Sequence, residues 1–418
     1  MKRPLLITIF IFLTLSLFAT GSYDLTVVSG LIDGENEKVL TAFHEKYPNT
    51  KVEFLYPSLA DGTTVTMDSR LLAGDETNVL VEYMGRVGKY ATAKLAVNFN
   101  DYITDQDDFM DGSLIPVTVD GALRALPLNG AAFGMCINLR MLADIGYENF
   151  DFEDWTLDDF YMLADAVKAK YNGEKWATGI FFGNQSGDYT WMNWLATFGA
   201  EMYHAGDYSK TVVNSPGGRQ TFAFWLELRD KGYTRSDAAI ITDADVYPGF
   251  GKGEYLMQPF HPGWVKIYQD GADGAGIRDA YFAYKFVEFP RVPGVEKVPA
   301  VGTMAGVTAF QNADKEKEAQ SAYLAWLYTT EALQILPIDA GSYPTRKSVT
   351  YTNESDVWRQ MAKVVADNGQ FDLGLTQWFY ADVRAQGFPI AQKMLNGDMT
   401  PTEAAAAYEA AVNAVLAK

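Results

Sequence analysis

The stretch LTVVSGLIDGENEKVLTAFHEKYPNTKVEFLYP, residues 25–57, decides the fold class. LTVVSG (25–30) is an apolar, β-branched run ending on glycine, the pattern of a buried strand. NEKVLTAFHEKYP (36–48) then sets Val39, Leu40, Phe43 and Tyr47 at helical spacing, and KVEFLYP (51–57) reads as a second strand. SRLLAG (69–74) ends a second helix on Gly74, and NVLVEYMG (78–85) is a third strand. Strands alternating with helices across short loops predict a parallel sheet with crossover helices, an α/β fold.

Upstream, Lys2 and Arg3 precede an apolar run from Leu5 to Phe18, and Ala19-Thr20-Gly21 offers small residues for cleavage. The pattern predicts an export signal over residues 1–21, with Ser22 first in the mature chain. The run is short and badly flanked for a membrane span, although a retained anchor is the alternative. It ends without cysteine, so no lipid-attachment site is visible, and a soluble periplasmic or secreted protein is expected. The formal net charge is −19, and −21 without Lys2 and Arg3. A surface that acidic repels nucleic acid and anionic lipid. With 48% hydrophobic and 21% charged residues, the 418-residue chain has material for two or three cores.

Downstream, ALPLNGAAFGMCIN (125–138) changes texture where Pro127 and Gly130 break an extended run, the pattern of a crossing between lobes. TLDDFYMLADAVKAK (156–170) begins with Thr156 and Asp159 in capping-box register and carries Leu157, Phe160, Leu163 and Val167 on one stripe. TWMNWLATFGAEM (190–202) and GRQTFAFWLELRDKGY (218–233) are further amphipathic helices. RVPGVEKVPAVGTMAGVTAF (291–310) is a second crossing that becomes strand-like, followed by the helix KEKEAQSAYLAWLYT (315–329) and a turn at AGSYPTRKSV (340–349). The final helix, in TPTEAAAAYEAAVNAVLAK (400–418), opens with Thr400 as cap, Pro401 in the first turn and Glu403 completing the box.

Familiar catalytic and metal signatures are missing. His44, His204 and His261 are the only histidines, and none has a second at metal-ligand spacing. Cys136 is the single cysteine, so neither an internal disulfide nor a thiolate cluster can form, and its apolar surroundings read as core. FGKGE lacks the rest of a phosphate loop, and GADGAG (271–276) has the wrong spacing for a dinucleotide turn. No G-x-S-x-G elbow occurs. DQDDFMDG (105–112) clusters carboxylates out of EF-hand register and reads as a solvated acidic loop. No cofactor and no metal are expected.

In their order, these pieces resemble the extracellular solute-binding proteins of family 1 of ABC importers, the maltose-binding-protein-like group. The resemblance runs through FHEKYPNTKVEF (43–54), RLLAGDETNVLVEY (70–83), LPLNGAAFGMCIN, FGKGEYLM (250–257), VGTMAGVTAF, KEKEAQSAYLAWLYTTEALQ, GSYPTRKSV and LNGDMTPTEAAAAYEAAVNAVL, and so covers roughly residues 24 to 418. It implies the periplasmic binding protein fold, two α/β lobes joined by a hinge with a solute between them. It also implies docking of the closed form on permease transmembrane subunits, and no catalysis. The lobes are expected over 22–128 with 300–345, and 129–299 with 346–418. One departure stands out: the family commonly carries an aromatic where Met135-Cys136 stands.

Sugars present an apolar face and a hydroxyl rim, so their sites stack rings on the face and aim polar groups at the edge. In FGKGEYLMQPFHPGW (250–264), Trp264 follows Pro262-Gly263, which reads as a turn, and the resemblance places an aromatic here at the cleft. The competing reading is a Trp that plugs the lobe interior. Trp378 in LTQWFY stands where the resemblance returns the chain to the cleft, and Trp191 lies near a helix start expected to face it, with core packing the competing reading for both. Loops after parallel strands nominate Asp33, Tyr56, Gly85 and Arg86. The crossings nominate Asn129, Thr303 and Met304; the closing turn nominates Tyr343 and Arg346, the latter equally a clamp between lobes. The expectation is a monomeric receptor for a small molecule, a mono- or oligosaccharide. A binding protein for a polyol, peptide or polyamine and a secreted glycan-degrading enzyme are the alternatives; no nucleic-acid partner is expected.

Overall fold

The alternation read in residues 25–57 becomes the parallel part of a first sheet. Strand β1 (Leu25–Ser29) leads to helix α1 (Asp33–Lys46), β2 (Val52–Leu55), α2 (Thr63–Ala73), β3 (Val79–Tyr83) and α3 (Met84–Thr92). β1 pairs in parallel with both β2 and β3, in register Leu25 with Val52 and Val27 with Val79. Val27, Val28, Val79, Leu80 and Val81 are all fully buried, as expected of strands covered by helices on both faces. On α1, Val39 and Phe43 are buried in the same core, with Leu40 and Tyr47 packed against it. The computed structural model describes residues 23–29, 33–55, 63–109, 113–114, 117–204, 207–277, 281–295, 302–330, 343–348, 360, 374, 377 and 379–418, with backbone alone at 33–35, 63–66, 83, 86, 92, 129, 131–132, 188–190, 302–304 and 343–344. The expected export signal, Tyr56 and Trp378 lie outside these residues.

A hairpin of β4 (Thr118–Val119) and β5 (Ala122–Leu123) precedes β6 (Leu126–Ala132), which runs almost directly into β7 (Gly134–Asn138). These two strands belong to different sheets, with Phe133 as the single residue between them. The expected break at 128/129 falls inside β6. Pro127 is tolerated there because the pairing slips at Ala305/Gly306, a bulge opposite it. Gly134 is sterically required: a β-carbon there would meet the Phe286 ring and the Val287 carbonyl oxygen, each at 2.6 Å.

The second unit continues through α4 (Leu139–Asp144), α5 (Leu157–Tyr171), β8 (Trp176–Thr178), α6 (Asp188–Thr197), α7 (Pro216–Asp230), α8 (Asp243–Gly251), β9 (Tyr255–Phe260), α9 (Pro262–Gly274) and β10 (Tyr284–Val287). Its sheet has the order β10-β7-β9-β8. Period-two alternation sends Met135 and Ile137 of β7 into the larger core and Cys136 into a smaller cluster on the opposite face. The capping box expected on α5 forms: Thr156 N–H donates to Asp159 Oδ2 at 2.8 Å, and Asp159 N–H donates to Thr156 Oγ1 at 3.3 Å.

The chain then returns through β11 (Gly302–Ala309), α10 (Lys315–Leu327) and β12 (Tyr343–Pro344) to complete a six-stranded first sheet, β12-β6-β11-β3-β1-β2. Two last helices, α11 (Tyr380–Leu395) and α12 (Pro401–Leu416), pack on the second core. α12 carries the expected Thr400–Glu403 box and buries Ala404, Tyr408, Val412 and Val415. α11 also touches α3 of the first unit.

Candidate functional site

Strand register gathers most of the nominated residues at one edge of the first sheet. β1, β2 and β3 are parallel, so their C-terminal ends share that edge. β11 runs antiparallel to β3 with Ala305 opposite Tyr83, which carries Thr303 and Met304 beyond the end of β3. They pair there with Ala131 and Gly130 of β6, while Tyr343 of β12 pairs with Gly130 from the other side. Asn129 sits on the same end of β6, Gly85 and Arg86 occupy the first turn of α3, and Asp33 opens α1 after β1. The edge is thus built from strand ends and helix starts, where backbone polar groups lack ladder partners.

The second sheet meets this edge at Phe133. Gly134 is paired with Phe260, so the end of β9 and the start of α9 lie beside the crossing. Trp264 stands there, half-buried, in the first turn of α9. Its ring lies 4.6 Å from His261, 5.2 Å from Tyr247, 5.4 Å from Phe260 and 5.6 Å, edge to face, from Phe133. The expected Pro262-Gly263 turn is instead a helix start. Proline fits the first helical position, where its missing N–H is not needed. His261 is the N-cap by backbone, its side chain makes no capping bond, and burial holds its imidazole neutral, pushed down to about 3.

Other nominations land elsewhere. Trp191 is 2% exposed and belongs to the second core, 5.4 Å from the Trp225 ring and 5.8 Å from the Tyr408 ring. It is not a cleft wall. Gly387 of α11 lies flat against it, and a β-carbon there would meet the indole at 2.5 Å. Helical spacing identified its face as apolar but not what that face packs on.

Arg346 is 3% exposed and ties parts of the first unit together rather than bridging the two. Its Nη1 is 2.6 Å from Asp105 and 3.1 Å from Asp108, and Nε and Nη2 donate to Thr329 Oγ1 at 3.0 and 2.7 Å. Its guanidinium lies 4.2 Å over the Phe109 ring. The acidic stretch 105–108 is therefore not merely a solvated loop: Asp105 and Asp108 are the counter-charges of Arg346. Burial raises the Asp108 carboxyl, but hydrogen bonds from Ser348 and Arg346 outweigh it and hold the group below the usual range. Among the described residues, no group of three or more His, Cys, Asp or Glu is placed to hold a metal. No helix among them is long and apolar enough to cross a membrane.

Sequence reasoning missed Phe133, His261, Tyr247 and Phe260. The missing family aromatic had been sought at Met135-Cys136, whose side chains are both fully buried, whereas the aromatic at the crossing is Phe133, two residues earlier. A Pro two residues before Trp264, read as a helix start, would have placed His261 at the cap and Trp264 beside it.

A comparison with protein families matches residues 38–364, most of the chain, to bacterial extracellular solute-binding protein. The chain belongs to this family. Among solved structures, this solute-binding protein is similar to a cyclic alpha-maltosyl-1,6-maltose binding protein from Arthrobacter globiformis, at 18% identity over 94% of this chain and 98% of that one, TM-score 0.72. It is similar to an ABC transporter solute-binding protein from Thermotoga lettingae TMO bound with alpha-D-tagatose, at 17% identity over 94% and 100%, TM-score 0.77. Maltose-bound MalE3 of T. maritima matches at 20% identity over 93% and 98%, TM-score 0.71. At these identities the likeness establishes the two-lobed fold. No curated protein matches the chain.

Proposed function

We infer that this solute-binding protein captures a carbohydrate between its two lobes and closes over it, delivering it to the permease subunits of an ABC importer. The observation that carries the reading is Trp264: a half-buried indole held by four other rings at the point where the chain crosses between sheets. The strand-end edge of the first sheet, on the other side of the crossing, would supply the polar groups. An apolar platform beside a rim of hydrogen-bonding groups suits a sugar ring. The named ligands of the similar structures, two maltose-type saccharides and tagatose, support the same class. Of the described residues, those within 23–132 and 302–348 would form the first lobe and those within 134–295 and 379–418 the second, with Phe133 as the first crossing. The chain acts outside the cytoplasm as an exported monomer without catalysis.

A thermal-shift screen of the mature chain against mono- and oligosaccharides, polyols, amino acids and polyamines tests this. A ligand at a hundred times its Kd adds about 2.7 kcal/mol, a shift of several degrees. Shifts with saccharides alone support the reading; shifts with amines or peptides alone discard the sugar, and saccharide turnover discards the receptor. With the sugar in hand, Trp264→Ala should cost about 1.5–3 kcal/mol of binding, tenfold or more in Kd. Unchanged affinity would make Trp264 a packing residue.

A further inference from the structure

His261 sits where an imidazole is poorly accommodated. It is only 8% exposed, and its Nδ1 is buried without a hydrogen-bond partner among the described residues. Its neighbours are rings: Trp264 at 4.6 Å and, at 5.7 Å edge to face, Phe133. A leucine or phenylalanine would fill such a place without leaving a polar atom unpaired, and an unpaired buried polar atom destabilises the state that contains it. The placement also couples three features: the crossing at Phe133, the cap of α9, and the ring of Trp264, whose backbone N–H donates to the His261 carbonyl oxygen at 3.1 Å.

We propose that His261 is a positioning residue for Trp264. Its neutral imidazole, wedged against Phe133 at the crossing, holds the indole in the cleft, and protonation of the imidazole frees the indole and loosens the crossing. The charged form loses its hydration in this buried place. Among the described residues nothing charged compensates it: Phe133 on the crossing, Phe260 of β9 and Trp264 of α9 do not titrate, and the nearby titratable groups are phenols, Tyr247 of α8, Tyr268 of α9 and Tyr284 of β10. Burial alone accounts for its shift, to about 3 from an ordinary 6.5. The sign follows. The buried state binds its proton more weakly than the solvated state, so the wedge is intact above about pH 6.5 and is progressively lost as pH falls from there towards 3. Ligand capture then weakens in acid. This consequence rests on the carbohydrate reading, whereas the movement of Trp264 does not.

The test uses the mature chain without ligand. The difference in fluorescence between the wild type and Trp264→Phe isolates the Trp264 signal and is titrated from about pH 7.5 down to about 3, across both pKa limits. Far-UV circular dichroism is followed on the same samples. In parallel, NMR of 13C-labelled histidine reads the three imidazoles, the His261 signal being assigned by its loss in His261→Gln. The expected result is a Trp264 signal that changes together with the His261 resonance while the fold persists, and that no longer changes in His261→Phe and His261→Gln. A His261 resonance that titrates with no change at Trp264, a Trp264 signal that stays constant until the fold itself is lost, or a transition that survives in either variant overturns the proposal. If His261→Phe does not fold, His261→Gln decides. Because no sugar is added, a failed sugar screen and a failed titration are separate outcomes.

Discussion

Arg346→Met separates a clamp from a ligand contact. Methionine keeps an unbranched stem but removes the guanidinium, so two hydrogen bonds to Thr329, two ion pairs and the contact with the Phe109 ring disappear together. Removing one partner of a fully buried pair costs about 3–5 kcal/mol. The side chains of Asp105 and Asp108 keep 34% and 25% of their exposure, so water recovers part of their solvation and the expected loss is nearer 2–3 kcal/mol. For a lobe of this size that corresponds to a fall in Tm of about 5–10 °C. Calorimetry on the free and ligand-loaded chain reads both consequences, with the shift on adding ligand expected to match the wild type. A Tm within about 1 °C of the wild type, or lost affinity at unchanged Tm, refutes the reasoning and returns Arg346 to the cleft.

Trp191→Ala should cost about 3–5 kcal/mol by emptying the space between Trp225, Tyr408 and Gly387, without a separate effect on affinity, as denaturant titration with and without ligand would reveal. Thr400→Ala removes one half of the α12 capping box and should lower stability by about 1 kcal/mol by the same assay. Acid should destabilise the first lobe. Burial raises the Glu318 carboxyl, but Lys315, Tyr102 and the Asn312 N–H outweigh it and hold the group low, as Ser348 and Arg346 do for Asp108. A depressed native pKa gives stability that is present above the unfolded values, 4.5 and 3.8, and is lost as pH falls through the native ones. Asp108→Asn should therefore lower stability at pH 7 and flatten its decline below about pH 4, measured by urea unfolding across pH.

The parallel core was legible because β1 and β3 are apolar on both faces and α1 is apolar on one. α5 and α12 were legible because a capping box is a local device whose partners lie three residues apart. Pro262-Gly263 was not, since the same dipeptide opens a helix or makes a turn, and β9 before it decides which. Pro127 and Gly130 read as breakers, yet the bulge in β11, far along the chain, lets β6 run on to Ala132. The destination of Trp191 depended on Gly387, and that of Arg346 on Asp105 and Asp108, contacts between distant segments that no local pattern encodes. For the proposed cleft, sequence supplied the strand ends and Trp264, and register supplied the edge that the strand ends share.

The strand orders also set the timetable of folding. The second sheet draws β7, β8, β9 and β10 from one uninterrupted stretch of chain, and its widest pairing, β10 with β7, joins Tyr284 to Asn138. The first begins with β1 to β3 but takes β11 and β12 from near the other end, and β3 must find β11 across more than two hundred residues. Loop-closure entropy grows only slowly with separation, but a pairing cannot form before both strands exist. The lobe whose strands leave the ribosome first therefore cannot be finished until β11 arrives, and until then the far edge of β3 stays open.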